Sequence, residues 1–353
     1  MSLQPVLPLG RDAWAWVRQG GKPTRAGWRQ LLMQRWQNLW FDRNLGLQNC
    51  LPLDPELQLD PLFILGLWRS GTTSLHDLLG ACPGMLHPAT WQCMSPASFR
   101  LQQPPTRGNA VRRPMDGLMI DNLSPQEDEF ALLALGVPTV YRGFLDPRRL
   151  PELTQWLNPD AWTADQPPGW VATWRQFLTG VVAGRCGRLV VKSPNHSFRI
   201  RALAQLFPRA AYVWLVRDPA DTFFSNRKMW LTMFDRYAIW PWDPSVLDNF
   251  LCRAFEKAAE CLQLATAQLP RDRCVVVNFD ELTKAPVATL DRINDRLHLG
   301  NREDIHTSAG FVAAAKAGYR AETYSGRDVP QPTRQAISQL HAAQETAMES
   351  HGL

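Results

Sequence analysis

The chain has 353 residues, 45% of them hydrophobic and 20% charged, a globular balance that excludes disorder along its whole length. A formal charge of +5, spread without any polybasic block, suits an anionic ligand and argues against a nucleic-acid partner. The longest apolar stretch, Phe130 to Tyr141, is about half of what a bilayer-spanning helix needs, so no membrane span is expected.

In chain order, Met1 to Gly10 carries no basic-then-apolar leader pattern. Residues 11–41 predict a helix, with Trp28, Leu31, Leu32, Arg35, Trp36 and Leu39 near helical spacing. Pro52, Pro55 and Pro61 break the following segment into a connector. Leu62 to Leu67 reads as a buried strand and Thr73 to Leu79 as a helix. Residues 81–125, rich in proline, glycine and polar side chains, predict a long ligand-facing loop region with short helices. Gln126–Leu135 and 163–184 read as helices. Three apolar runs, Arg188–Val191, Ala211–Val216 and Cys274–Asn278, then alternate with helical segments at Phe198–Phe207 and Pro244–Leu269. Alternation of this kind predicts an α/β fold, a doubly wound parallel sheet with helices on both faces. No repeat or linker divides the chain, so 1–353 reads as one domain with 1–60 as a helical N-terminal extension.

Seven cysteines are scattered, odd in number and never spaced as CxxC. That pattern predicts reduced thiols, a cytoplasmic location and no zinc or other metal site. The fifteen tryptophans are read mostly as packing, with a few left to line an apolar acceptor pocket.

The sharpest local signal is Gly66-Leu67-Trp68-Arg69-Ser70-Gly71-Thr72-Thr73, between a predicted strand and a predicted helix. A loop so placed aims backbone N–H groups and the positive helix end at an anion. Gly71 permits close backbone approach, and Ser70, Thr72 and Thr73 offer hydroxyl donors. The Gly-x4-Gly spacing is that of a P-loop, but Thr72 stands where a nucleotide triphosphatase has lysine, and a cation appears at Arg69 instead. Lys192 and Arg217 follow the next two predicted strands, at the sheet edge where such folds bind ligands. Ser225, eight residues after Arg217, is placed to join it on one further phosphate.

The segments GLWRSGTTSLHDLL, SPQEDEFAL, VVKSPNHSF, LFPRAAYVWLVRDPADTFFS and VVVNFDELTKAP, in this order, resemble the sulfotransferases that use 3′-phosphoadenosine-5′-phosphosulfate (PAPS), in particular a bacterial branch akin to the tyrosylprotein enzymes. The resemblance implies a P-loop-type sulfotransferase fold and transfer of a sulfuryl group from PAPS, as co-substrate and without a metal, to an acceptor hydroxyl or amine. It implies that Arg69, Ser70, Gly71, Thr72 and Thr73 hold the 5′-phosphosulfate and that Arg217 with Ser225 holds the 3′-phosphate. Lys192 would contact the bridging oxygen or the sulfuryl group. Arg320 and Arg327 are candidate contributors from a C-terminal cofactor loop. Residues 81–125 would then be acceptor-side loops, and aromatic residues there and in 229–242 point to a small apolar or aromatic acceptor or a glycolipid.

Loss of the acceptor proton calls for a general base. Ser124-Pro125-Gln126-Glu127-Asp128-Glu129 reads both as a helix capping box and as a source of that base. The candidates are Glu127 and Asp128, with His196 as the rival; the resemblance puts a histidine just after the lysine, two positions earlier than His196. Where tyrosylprotein relatives place a glutamate base, Gln92 stands here, and His76 and His87 are read as structural. The alternative function is a P-loop small-molecule kinase, with Asp280 and Glu281 after the last predicted strand as metal-binding acids.

Overall fold

Leu62–Leu65 (β1) carries a four-residue run in which every side chain is buried, as a strand covered on both faces requires. Met85–Leu86 (β2), Arg188–Lys192 (β5), Ala211–Val216 (β6) and Cys274–Asn278 (β7) join it in one sheet of order β2-β5-β1-β6-β7, every pairing parallel. Val111–Arg112 (β3) and Met119–Ile120 (β4) form a separate antiparallel ribbon. The computed structural model describes residues 9–10, 14–15, 22–53, 59–108, 110–113, 118–300, 303–304, 306–308, 312, 323 and 329–353. Arg320 and Arg327 lie outside them.

Strand alternation sorts the core into two layers. Phe63, Leu65, Val191, Tyr212 and Trp214 face one layer, packed by Trp170–Val182, Ile200–Leu206, Pro219–Tyr237, Ser245–Gln268 and Gln331–His351. Leu62, Ile64, Val190, Val213 and Val275 face the other, against Thr72–Gly80 and Pro286–Leu297. Each such buried aliphatic or aromatic side chain contributes about 1.5–3 kcal/mol of transfer free energy. Most of the tryptophans expected to pack do so, with Trp68, Trp170, Trp174 and Trp230 among the largest fully buried side chains.

We label Arg25–Asn49 α1, Thr72–Gly80 α2, Glu129–Ala134 α3, Trp170–Val182 α4 and Pro219–Tyr237 α5. The helix predicted over 11–41 is not continuous: residues 22–24 lie outside any helix, and α1 starts only at Arg25 and runs on to Asn49. Thr24 caps it by accepting from Gly27 N at 2.9 Å and ties it down by donating to Ala238 O at 2.8 Å. Gly27 is required there, since a Cβ would stand 2.2 Å from Ile239 O.

Two further local expectations are overturned. The predicted strand Leu62–Leu67 stops at Leu65, because Gly66 turns the chain at φ +135°. The predicted capping box does not form either: α3 begins at Glu129, with Asp128 as an N-cap whose side chain makes no capping bond. Ser124 instead accepts from Asp121 N at 2.9 Å, and Gln126 N donates to Pro88 O at 2.9 Å. Residues 126–128 thus enter the interior ahead of the helix, and their acids are engaged there by Lys192 and His196. Tertiary pairing has overridden a local cap worth only about 1 kcal/mol.

Candidate active site

The sheet topology sets the site. Strands β5 and β6 are consecutive in this sheet by sequence yet flank β1, so the chain reverses its winding across β1 and leaves a crevice at that strand's carboxyl end. The loop after β1 emerges there, with Lys192 ending β5 on one side and Arg217 following β6 on the other.

The loop is wound through three left-handed residues, Gly66, Arg69 and Gly71, at φ +135°, +68° and +100°. At Gly71 a Cβ would lie 2.2 Å from the Phe279 ring, so no other residue fits without displacing it. Arg69 is not glycine, and such a conformation costs about 1–3 kcal/mol, so it persists only where its surroundings enforce it. They do: Arg69 Nε donates to Ser225 Oγ at 3.1 Å, and Arg217 Nη1 donates to Arg69 O at 3.1 Å. Asn226 Nδ2 holds Trp68 O at 2.6 Å, and Ser197 Oγ both accepts from Gly66 N and donates to Gly66 O. Gly71 caps α2 without a side chain, which leaves the first N–H groups of that helix facing the loop's own concavity. Ser70 Oγ donates to Leu67 O at 2.7 Å, while Thr72 is buried beside Gly66.

On the other side of β1, Lys192 Nζ donates to Glu127 Oε1 at 2.7 Å and to Thr73 Oγ1 at 3.3 Å. The second carboxylate oxygen of Glu127 accepts from the Tyr141 hydroxyl. Burial pushes the Lys192 ammonium below its ordinary value; Glu127 pulls it back up, and Arg113 adds to the fall. Burial and then Glu127 hold the Tyr141 phenol well above its usual range. Arg217 lies with its guanidinium 5.0 Å above the Phe279 ring and 3.8 Å from Asp221.

Three consecutive acids meet three basic side chains on one facing segment. Glu127 pairs with Lys192, Asp128 with His196 at 2.9 Å, and Glu129 with Arg199 through two bonds of 2.7 and 2.8 Å. The segment Pro194–Arg199 is a 3-10 turn, and its three-residue period sets His196 and Arg199 on one side. Both His196 nitrogens are engaged, Nε2 by Asp128 and Nδ1 by an Arg199 N–H at 3.1 Å. That arrangement assigns the ring proton to Nε2, donated to Asp128. Trp174 Nε1 also donates to Asp128 at 2.6 Å, and Arg199 stacks 4.0 Å over Trp162.

The structure therefore brings Thr73, Lys192 and Glu127 together, and Arg69, Arg217 and Ser225 together. It sets Asp128 and His196 in a wholly buried pair below them. Gln92 accepts from Ala89 N at 2.9 Å, and the rings of His76 and His87 meet edge to face at 5.9 Å. Tyr141, Trp174, Arg199 and Asn226 were not anticipated. The signal for Arg199 was present, as an acidic triplet at 127–129 and basic side chains at 192, 196 and 199. Asp280 N donates to Asn278 Oδ1 at 2.7 Å, capping the helix after β7, and Glu281 pairs with Arg292 at 3.0 Å. Among the described residues no group of three His, Cys, Asp or Glu side chains forms a metal-binding cluster.

A glycine-wound loop on the central strand, with strand-end cations to either side, defines a P-loop-type α/β protein. The sequence profile of the sulfotransferase family matches residues 61–303, more than half of the chain, and the chain belongs to that family and is a sulfotransferase. It is 27% identical over 293 residues to the omega-hydroxy-beta-dihydromenaquinone-9 sulfotransferases Stf3 of Mycobacterium bovis and Mycobacterium tuberculosis, covering 82% of this chain and 74% of theirs. Its fold is similar to sulfotransferase STF9 from Mycobacterium avium, with TM-score 0.64, 18% identity and coverage of 94% of this chain and 86% of that one. Sulfotransferase STF1 from Mycobacterium tuberculosis H37Rv gives TM-score 0.62 at 18% identity, with 94% and 89% covered. Family membership sets the kinase alternative aside.

Proposed function

We propose that the chain transfers the sulfuryl group of PAPS to a hydroxyl of an apolar, lipid-like acceptor in the cytoplasm. One observation carries the chemistry: Lys192 Nζ spans from a carboxylate, Glu127, to a hydroxyl of the anion loop, Thr73. A cation so placed is shared between the donor's leaving oxygen and the group that takes the acceptor's proton.

In this reading the 5′-phosphosulfate of PAPS rests on the loop from Arg69 to Thr73 and the N-terminus of α2. Arg217 and Ser225 hold the 3′-phosphate, with Arg69 linking the two anchors through its bond to Ser225. The acceptor oxygen forms its bond to sulfur as the bridging S–O bond breaks. Its proton passes to the Glu127 carboxylate, and the electron pair of the broken bond stays on the departing phosphate, opposite Lys192. Among the three base candidates, Glu127 is the partly accessible one; Asp128 and His196 are fully buried. We assign them to holding the 127–129 segment in register. No step needs covalent participation by the protein, so rate enhancement comes from alignment and from preorganised positive charge.

The acceptor class draws on the relatives named for a hydroxylated dihydromenaquinone, and on the aromatic segments expected at 81–125 and 229–242. Calorimetric titration with 3′-phosphoadenosine-5′-phosphate, alongside ATP with Mg²⁺, tests the donor. Tight binding of the bisphosphate without metal supports the reading; binding of ATP–Mg²⁺ in its place overturns it. Transfer of 35S from labelled PAPS to hydroxylated quinones or long-chain alcohols, but not to sugars or peptides, tests the acceptor.

A further inference from the structure

Helix α1 is built the wrong way round for a helix that only packs. Its inward side carries Gln30, Gln34 and Gln48 beside Phe41, and docks through polar bonds. Gln34 donates to Leu9 O at 2.7 Å, and Gln48 donates to Pro96 O at 2.8 Å while accepting from Arg100 N at 2.9 Å. The outward side carries the large apolar groups: Trp28 is 56% exposed, Leu32 68%, Leu39 64%, Trp40 66% and Leu47 50%. At 3.6 residues per turn, positions 28, 32 and 39 share one line along the helix, and 40 and 47 share the adjoining line. Arg25 and Arg43, both exposed, fall between these lines, and Lys22 is exposed just before the helix. Asp42 is the one acid in α1.

Beyond α1, whose Met33 is also 41% exposed, the large exposed apolar side chains among the described residues are Leu101, Val111 and Met119. All three belong to 81–125, the region expected on the acceptor side. The helix itself is tied at one end to Ala238 and Ile239 and at the other to Pro96 and Arg100, which brackets both segments assigned to the acceptor. Exposed tryptophan and leucine are thus gathered along the outward face of α1 and interleaved with arginine. Tryptophan and leucine enter the headgroup–acyl boundary of a bilayer, and arginine meets anionic headgroups. The helix lies ahead of residues 61–303, so the family match does not account for this surface.

We infer that the outward face of α1, with Trp28, Leu32, Leu39 and Trp40 set around Arg25 and Arg43, docks the enzyme on the surface of an anionic lipid bilayer. It lies in the interface and does not cross it; no described helix is long and apolar enough to span a membrane. That the acceptor is drawn from this bilayer rests on the proposed function; the docking does not.

Co-sedimentation with vesicles of phosphatidylcholine, with and without phosphatidylglycerol, tests the inference. The protein is expected to pellet with the anionic vesicles and to be released by salt. Trp28→Ser/Trp40→Ser should weaken that binding by about tenfold or more. Arg25→Glu/Arg43→Glu should weaken it by about thirtyfold on anionic vesicles and leave neutral ones little changed. Thermal stabilisation by 3′-phosphoadenosine-5′-phosphate reports separately on the fold and donor site and should persist in both variants. Failure to pellet with anionic vesicles overturns the docking, as does pelleting indifferent to both variants. A dimer that dissociates in Trp28→Ser/Trp40→Ser would assign the face to a second copy and overturn it equally.

Discussion

Lys192 and Glu127 form a buried ion pair at 2.7 Å, with the lysine side chain 2% and the glutamate side chain 11% exposed. The pair joins the end of a core strand to a segment that enters just before α3. It faces the loop through Thr73, so it is both a structural tie and the centre of the proposed chemistry.

Separating those two roles is the first prediction. Glu127→Gln keeps the shape and a hydrogen-bond acceptor but loses the base, and is expected to lower kcat by about 10²–10⁴-fold. Binding of 3′-phosphoadenosine-5′-phosphate should be preserved. Lys192→Ala should lower kcat by about 10²–10³-fold and also destabilise the fold by about 3–5 kcal/mol, because Glu127 is left buried without its cation. Single-turnover rates and urea denaturation measure the two effects independently. Full activity in Glu127→Gln would move the base elsewhere.

The pH dependence follows from Lys192. Its ammonium is displaced below the ordinary lysine value, chiefly by burial. The charged form is the one that stabilises the leaving phosphate, so it is complete below that lowered value and lost as pH rises through it. The alkaline limb of kcat/KM, which reports the free enzyme, should accordingly fall short of about pH 10.4, the value of a free lysine. Lys192→Arg, which stays protonated, should carry the limb to higher pH. A limb that does not move in that variant argues that another group controls it.

Gly71 meets Phe279 so closely that Gly71→Ala must open the loop, besides forcing a side chain into φ +100°. The left-handed conformation alone costs about 1–2 kcal/mol. The expected result is about tenfold or greater weakening of donor binding. Gly71→Ala/Phe279→Leu should recover part of it, since the steric share of the loss is then relieved. Calorimetry on the two variants distinguishes them.

Arg217 donates to the Arg69 carbonyl, lies over the face of Phe279 and stands 3.8 Å from Asp221. Arg217→Ala removes a charged donor from the proposed 3′-phosphate site and a brace from the strained Arg69. Charge-assisted bonds of this sort contribute about 1.5–3 kcal/mol, so bisphosphate affinity should fall by about ten- to a hundredfold. Loss confined to the bisphosphate, with adenosine 5′-monophosphate binding little altered, would locate Arg217 on the 3′ side.

Glu129 and Arg199 sit beneath the site in a fully buried bidentate pair. Glu129→Gln should cost about 3–5 kcal/mol in stability by leaving Arg199 without its counter-charge. Turnover per folded molecule should be preserved below the melting range. Measurement of Tm together with kcat at low temperature checks this, and a large drop in kcat there would give the pair a direct catalytic part.

What the sequence determined by itself was the order of elements and the place of the anion loop. Fully apolar runs such as Ala211–Val216 and Cys274–Asn278 have one stable solution, a strand buried on both faces, and their structural bounds agree with the reading to the residue. Glycines at 66 and 71 signal a loop because few other residues tolerate its backbone. The acidic triplet was not legible in this way. Ser124-Pro125-Gln126-Glu127 is a sound local cap, and only the approach of Lys192, His196 and Arg199 decides that its acids turn inward. The same holds for α1: helical spacing of Trp28, Leu32 and Leu39 announced a helix, but not that this stripe faces outward. Periodicity depends on neighbours in sequence, whereas the pairing of buried charges and the choice of which face is covered depend on segments tens of residues away. Those were decided when the sheet closed and brought the ends of β1, β5 and β6 to one edge.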